Sequence, residues 1–140
     1  MLRIFYAFSV ISILFSGFIL NSGARQEKET AFSTQSSEVV MYYFHYSRRC
    51  ATCMAIEEVT EKTLKDLYPS QVESGSVVFL SVNLDETDNK PLADQLKVSG
   101  QTLLLVKGEK QVDLTNQAFM YARTKPEKLK AEIETAFQQL

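Results

Sequence analysis

The chain has 140 residues, with 15 Lys and Arg against 17 Asp and Glu and a formal net charge of -2. That length suits one domain, and the near balance of charge gives no electrostatic case for nucleic-acid binding. Two cysteines and one histidine leave few side chains for redox or metal chemistry.

Arg3 supplies a positive start, and residues 4–20 are apolar apart from Ser9, Ser12, Ser16 and Gly17. Small residues follow at Ser22 and Ala24, where a signal peptidase would cut. The pattern predicts an export signal over residues 1–24. The apolar run also approaches the ~20 residues of a spanning helix, so an uncleaved membrane anchor over residues 4–20 is the other reading. Either way the domain would lie beyond the cytoplasmic membrane, in the periplasm or on the outer face. A core helix is disfavoured because the stretch has no polar face. A lipid anchor is excluded because no cysteine lies near Ala24.

Residues 25–37 are polar except for Phe32 and Ala31 and read as a linker. The folded domain is expected over residues 38–140. Residues 39–46 form a continuous β-branched and aromatic run, the pattern of a central strand buried on both faces. Two arginines, Arg48 and Arg49, interrupt it. From Cys50 the period changes: Ile56, Val59, Thr63, Leu64 and Leu67 fall at helical spacing, and Pro69 ends the helix. A turn at residues 74–76 leads to residues 77–84, read as a second buried-type strand. Asn89 is expected to cap a short helix with Pro91 in its first turn, placing Leu92, Ala93 and Leu96 on the core.

Residues 103–106 read as a third strand. A turn at Gly108-Glu109 leads into a fourth, starting near Val112, to make a hairpin. Residues 115–122 fit no element. Thr124-Lys125-Pro126-Glu127 reads as a capping box, opening a last helix with Leu129, Ile133, Phe137 and Leu140 on one face. The order is βαβαββα. Helices between the first strands require a parallel pair with right-handed crossovers. The expected fold is α/β, a mixed four-stranded sheet with helices on both faces.

Both cysteines, Cys50 and Cys53, sit at the first strand–helix junction. A disulfide closing so short a loop removes little entropy from the unfolded chain, so the pair makes more sense as a reversible redox couple. A thiolate rather than a thiol attacks disulfides. Cys50 at a helix N-terminus, with Arg48 and Arg49 adjacent, has the setting in which thiol pKa values fall from about 8.5 to roughly 3.5–7.5. Cys50 is therefore expected to be the exposed nucleophile and Cys53 the resolving thiol. Glu57, four residues after Cys53, is either a proton carrier for the pair or a solvated helix charge. His45 is a packed strand residue, a surface residue or a neighbour of the cysteines. Two cysteines and one histidine are too few for a structural zinc. Copper(I) held by Cys50 and Cys53, with Met54 or His45, is chemically allowed.

The order of elements, with Cys50-Ala51-Thr52-Cys53 at the first strand–helix junction, resembles the thioredoxin superfamily over residues 38–140. Val82-Asn83-Leu84-Asp85 and the hairpin from Thr102 to Glu109 also line up. The resemblance implies thiol–disulfide exchange by Cys50 and Cys53, without an organic cofactor or a metal. The chain departs from the family at three places. Gln101, after Gly100, stands where the family has a cis-proline, and is expected to lie against the cysteines and contact Cys53 or a substrate chain. Phe44 and Ser81 stand where the family has a buried carboxylate and its lysine partner. Arg49 replaces the tryptophan before the first cysteine.

The run of Arg49, Cys50, Thr52, Cys53, Ile56 and Glu57 is also similar to small exported bacterial thioredoxin-like proteins, some tied to nitroaryl or organoarsenical reduction. The expected activity is an exported, monomeric thiol-disulfide oxidoreductase acting on protein or small disulfides. The alternative is a non-catalytic thioredoxin-fold module that binds a partner or a soft metal such as Cu(I) or As(III).

Overall fold

The computed structural model describes residues 38–140; the expected export signal or anchor (1–24) and the expected linker (25–37) lie outside the described residues. The strands are β1 (Val39–His45), β2 (Val77–Asn83), β3 (Thr102–Lys107) and β4 (Lys110–Asp113). The helices are α1 (Ala51–Leu67), α2 (Pro69–Glu73), α3 (Lys90–Gln95), α4 (Thr115–Tyr121) and α5 (Pro126–Gln138), with a single 3-10 turn at Thr87–Asn89. The sheet order is β2-β1-β3-β4. β1 runs parallel to β2 and antiparallel to β3, and β3 and β4 form the antiparallel hairpin. This is the expected mixed α/β sheet, and it is consistent with a thioredoxin-like fold.

Every residue of β1 is buried. The strand is hydrogen-bonded on both sides, and its alternate side chains feed two cores. Met41 and Tyr43 point into the larger one with Cys53, Ile56 and Leu64 of α1, Ala118 of α4, and Leu129 and Ile133 of α5. Tyr42 and Phe44 point into the smaller one with Val82, Leu104, and Ala93 and Leu96 at α3. An unbroken apolar run is what a strand covered by helices on both faces needs. Pro69 ends α1 as expected, but the chain restarts at once as α2. Tyr68 between them stacks on Phe137 of α5, ring centroids 4.2 Å apart, and pins the end of α1.

The structure corrects several expectations. β2 is not a doubly buried strand but a sheet edge, with Leu80 and Ser81 exposed. Residues 115–122, which fit no element by pattern, contain α4 (Thr115–Tyr121). Asn89 precedes α3 but makes no capping bond; its amide donates to Asn83 O (3.0 Å) and closes the loop after β2. The capping box is not made either. Lys125 is the N-cap of α5, and the Thr124 hydroxyl donates backwards to Met120 O at 3.2 Å, closing the end of α4 instead.

Candidate functional site

β1 delivers the chain to the site, and the end of β2 fixes its exit. Leu84 N donates to His45 O at 2.7 Å, Ser47 N to Asp85 Oδ2 at 2.7 Å, and Asn83 Nδ2 to Ser47 Oγ at 2.9 Å. His45 and Ser47 thus tie this segment to the end of the neighbouring strand before Cys50 is reached, while Tyr46, Ser47 and Arg48 are exposed. Ser47, Asn83 and Asp85 were not singled out as site residues from sequence. The available signal was three short hydrogen-bonding side chains at the ends of adjacent strands.

Cys50 is the N-cap of α1, with extended backbone (φ -87°, ψ 166°), and its sulfur accepts a hydrogen bond from Cys53 N at 3.1 Å. A helix N-terminus leaves backbone N–H groups without intrahelical partners and carries partial positive charge. The first turn of α1 holds no acidic residue to cancel it. A thiolate on Cys50 would sit in that field. Cys53, one turn on, faces inward and is only 2% exposed. The two are joined as a disulfide, Cα atoms 5.1 Å apart. The pair therefore has one accessible sulfur and one shielded sulfur within bonding reach.

The flanking charges divide. Arg48 is exposed. Arg49 instead folds beneath the helix, where its Nη2 forms an ion pair with Glu57 Oε2. Its guanidinium lies 5.8 Å from the centre of the Tyr43 ring. The Arg49 charge is thus committed to a carboxylate rather than free beside Cys50. Glu57 is neither a solvated charge nor unpaired. Partial burial pushes its carboxyl up, but hydrogen bonds with Ser81 and Arg49, the Arg49 charge and nearby His45 together hold it below the usual glutamate range. Burial raises the Tyr43 hydroxyl above its ordinary value; Arg49 opposes this and Glu57 adds to it. The Tyr43 hydroxyl and Arg49 Nε are both buried without a hydrogen-bond partner among the described residues. His45 is buried in β1, its Nδ1 3.0 Å from Tyr46 O and its ring tilted against Tyr43.

Phe44 and Ser81 lie on opposite faces of the sheet. Phe44 points into the smaller core, on the sheet face away from Cys53, while Ser81 reaches Glu57. Gln101 sits just before β3 with its Oε1 3.5 Å from Cys53 Sγ. The described residues contain no cis peptide bond.

No family model and no curated protein matches the chain. Among solved structures, one described as the structure of a malarial protein matches with a TM-score of 0.39 and 22% identity, over 59% of this chain and 93% of that one. A likeness that weak carries no argument.

The surroundings of Cys50 are mixed. Met54, on the next helical turn, is 54% exposed, and Tyr46 is exposed as well. A cleft lined by Tyr46, Leu84, Asp85, Lys90, Val98 and Ser99 opens at the ends of β1 and β2. Among the described residues no helix is long and apolar enough to cross a membrane.

Proposed function

We propose that the chain is an exported thiol-disulfide oxidoreductase whose Cys50/Cys53 couple exchanges two electrons with protein or small disulfides and dithiols. The observation that carries this reading is the asymmetry of the pair. Cys50 is exposed on a helix N-terminus free of acidic residues, and Cys53 is buried behind it within bonding distance. In the reducing direction, the Cys50 thiolate attacks a substrate disulfide and forms a mixed disulfide, releasing one substrate thiol. Cys53, having lost its proton, then attacks the Cys50 sulfur. The Cys50–Cys53 bond forms and the second substrate sulfur leaves as a thiolate that takes a proton from water. The oxidising direction is the reverse. Export is supported by Arg3, the apolar residues 4–20 and the small residues before the end of the 1–24 segment.

Insulin reduction by the wild type, Cys50→Ser and Cys53→Ser tests the activity. Cys50→Ser is expected to be inactive and Cys53→Ser to accumulate a covalent mixed disulfide. Equal activity in the wild type and Cys50→Ser would refute the reading. Equilibration against glutathione gives the reduction potential of the pair, and with it the direction in the compartment.

A further inference from the structure

Opening the Cys50–Cys53 bond leaves the second sulfur in an unfavourable place. Cys53 is packed among Tyr43, Ile56 and other core side chains, and burial in apolar surroundings disfavours a thiolate. Yet only the thiolate can attack the mixed disulfide. β1 holds no Asp or Glu that could take the proton. Glu57, the carboxylate on the same helix, is held by Arg49.

Among the described residues, the side chain within hydrogen-bonding distance of the Cys53 sulfur is Gln101, at 3.5 Å. Its position is fixed. Thr102, the next residue, is in register with Phe44 of β1, and the Thr102 hydroxyl donates to Gly100 O at 3.0 Å, closing the turn around Gln101. The oxidised sulfur has no proton to donate, so this contact becomes a hydrogen bond only in the dithiol. A primary amide has two ends. Its oxygen accepts from a thiol S–H, and after a half-turn about the last side-chain bond its N–H₂ donates to a thiolate.

We propose that Gln101 is the hydrogen-bond partner that carries Cys53 from thiol to thiolate, and so sets the rate of the resolving step rather than of the first attack. The inference rests on the oxidoreductase reading. Gln101 is not a base: the Cys53 proton passes to water as the amide turns, and the N–H stabilises the sulfur anion that attacks Cys50. The bonds made and broken are those of the second exchange above. Of the other ionisable groups, Tyr43 shares the core with Cys53, and His45, Arg49 and, through Arg49, Glu57 cluster around Tyr43. None of them is altered by substitution at residue 101.

The test uses the reduced full-length protein and a small aromatic disulfide, dithiobis-nitrobenzoate, which releases one coloured thiolate when Cys50 attacks and a second when Cys53 resolves. Gln101→Met keeps length and removes both ends of the amide; Gln101→Glu keeps an acceptor but loses the donor. Both are expected to release the first thiolate at the wild-type rate. Both should release the second roughly tenfold to a hundredfold more slowly, the loss expected when a charged group gives up a hydrogen bond. Wild-type resolution in Gln101→Met, equal slowing of both steps, or faster resolution in Gln101→Glu would each overturn the proposal. A wild-type protein that releases neither thiolate would instead refute the oxidoreductase reading, and this inference would fall with it.

Discussion

The ion pair between Arg49 and Glu57 is the feature whose energetic weight can be bounded most closely. Their side chains are 24% and 26% exposed, so the pair is neither a surface bridge nor a fully buried one. Exposed pairs contribute about 0–1 kcal/mol. Severing a buried pair costs about 3–5 kcal/mol, because a charge is stranded. With a quarter of each side chain still in water, screening discounts the second figure, and Glu57→Gln should cost about 2 kcal/mol. Arg49→Met also loses the contact over the Tyr43 ring, worth about 0.5–1 kcal/mol. The double variant removes the stranded partner, so the coupling from the full cycle should be about 1–2 kcal/mol.

Urea unfolding of the oxidised protein measures all four corners. The pH dependence has a definite sign. The folded Glu57 carboxyl lies below its ordinary value, so the unfolded chain takes up the proton first as pH falls. The stabilisation is fully present above about pH 4.3, the unfolded value, and disappears as pH drops through the folded one, while Arg49 stays charged. A coupling below about 0.5 kcal/mol at neutral pH, the size of an exposed pair, or one unchanged at acid pH, would refute this account of the site.

Tyr43→Phe should change stability by less than about 1 kcal/mol, since among the described residues the buried hydroxyl makes no hydrogen bond of good geometry, with only the Arg49 guanidinium beside it. A clear loss in the same urea assay would mean that the hydroxyl is bonded after all. Ile56 is fully buried between α1 and β1, and Ile56→Ala should cost about 2–5 kcal/mol; a cost near zero would contradict the packing described. In hydrogen exchange, the amides of β1, paired on both sides, should be protected longest, and those of the β2 edge around Leu80 should exchange sooner. The reverse order would contradict the strand order.

Periodicity made the framework legible. The run of β1 and the helical spacing of Ile56 and Leu64, and of Leu129 and Ile133, each describe a burial pattern that the structure reproduces. α4 hid because its buried residue is Ala118, followed by buried Ala122 at its C-cap, while Phe119 and Met120 point outward. Small residues inside and large apolar ones outside erase the contrast that marks an amphipathic helix. β2 carries the composition of a central strand, but nothing local records how many neighbours a strand will have. The N-cap position of Cys50 was readable because a strand run meets a helical period at that residue. The pairing of Arg49 with Glu57 was not, because it depends on the guanidinium turning under the helix. The same holds for Ser47 and Asp85, whose contact spans 38 residues of chain.

Both sulfurs belong to a single turn of one helix, anchored to the innermost strand. On the proposed redox reading, gaining or losing two electrons makes or breaks one bond within that turn and touches one long-range contact, that of Gln101 with Cys53. The molecule resembles a solid electrode more than a hinge: its shape can be the same when charged and discharged, so a partner that tells the two states apart must read the chemistry of one small spot.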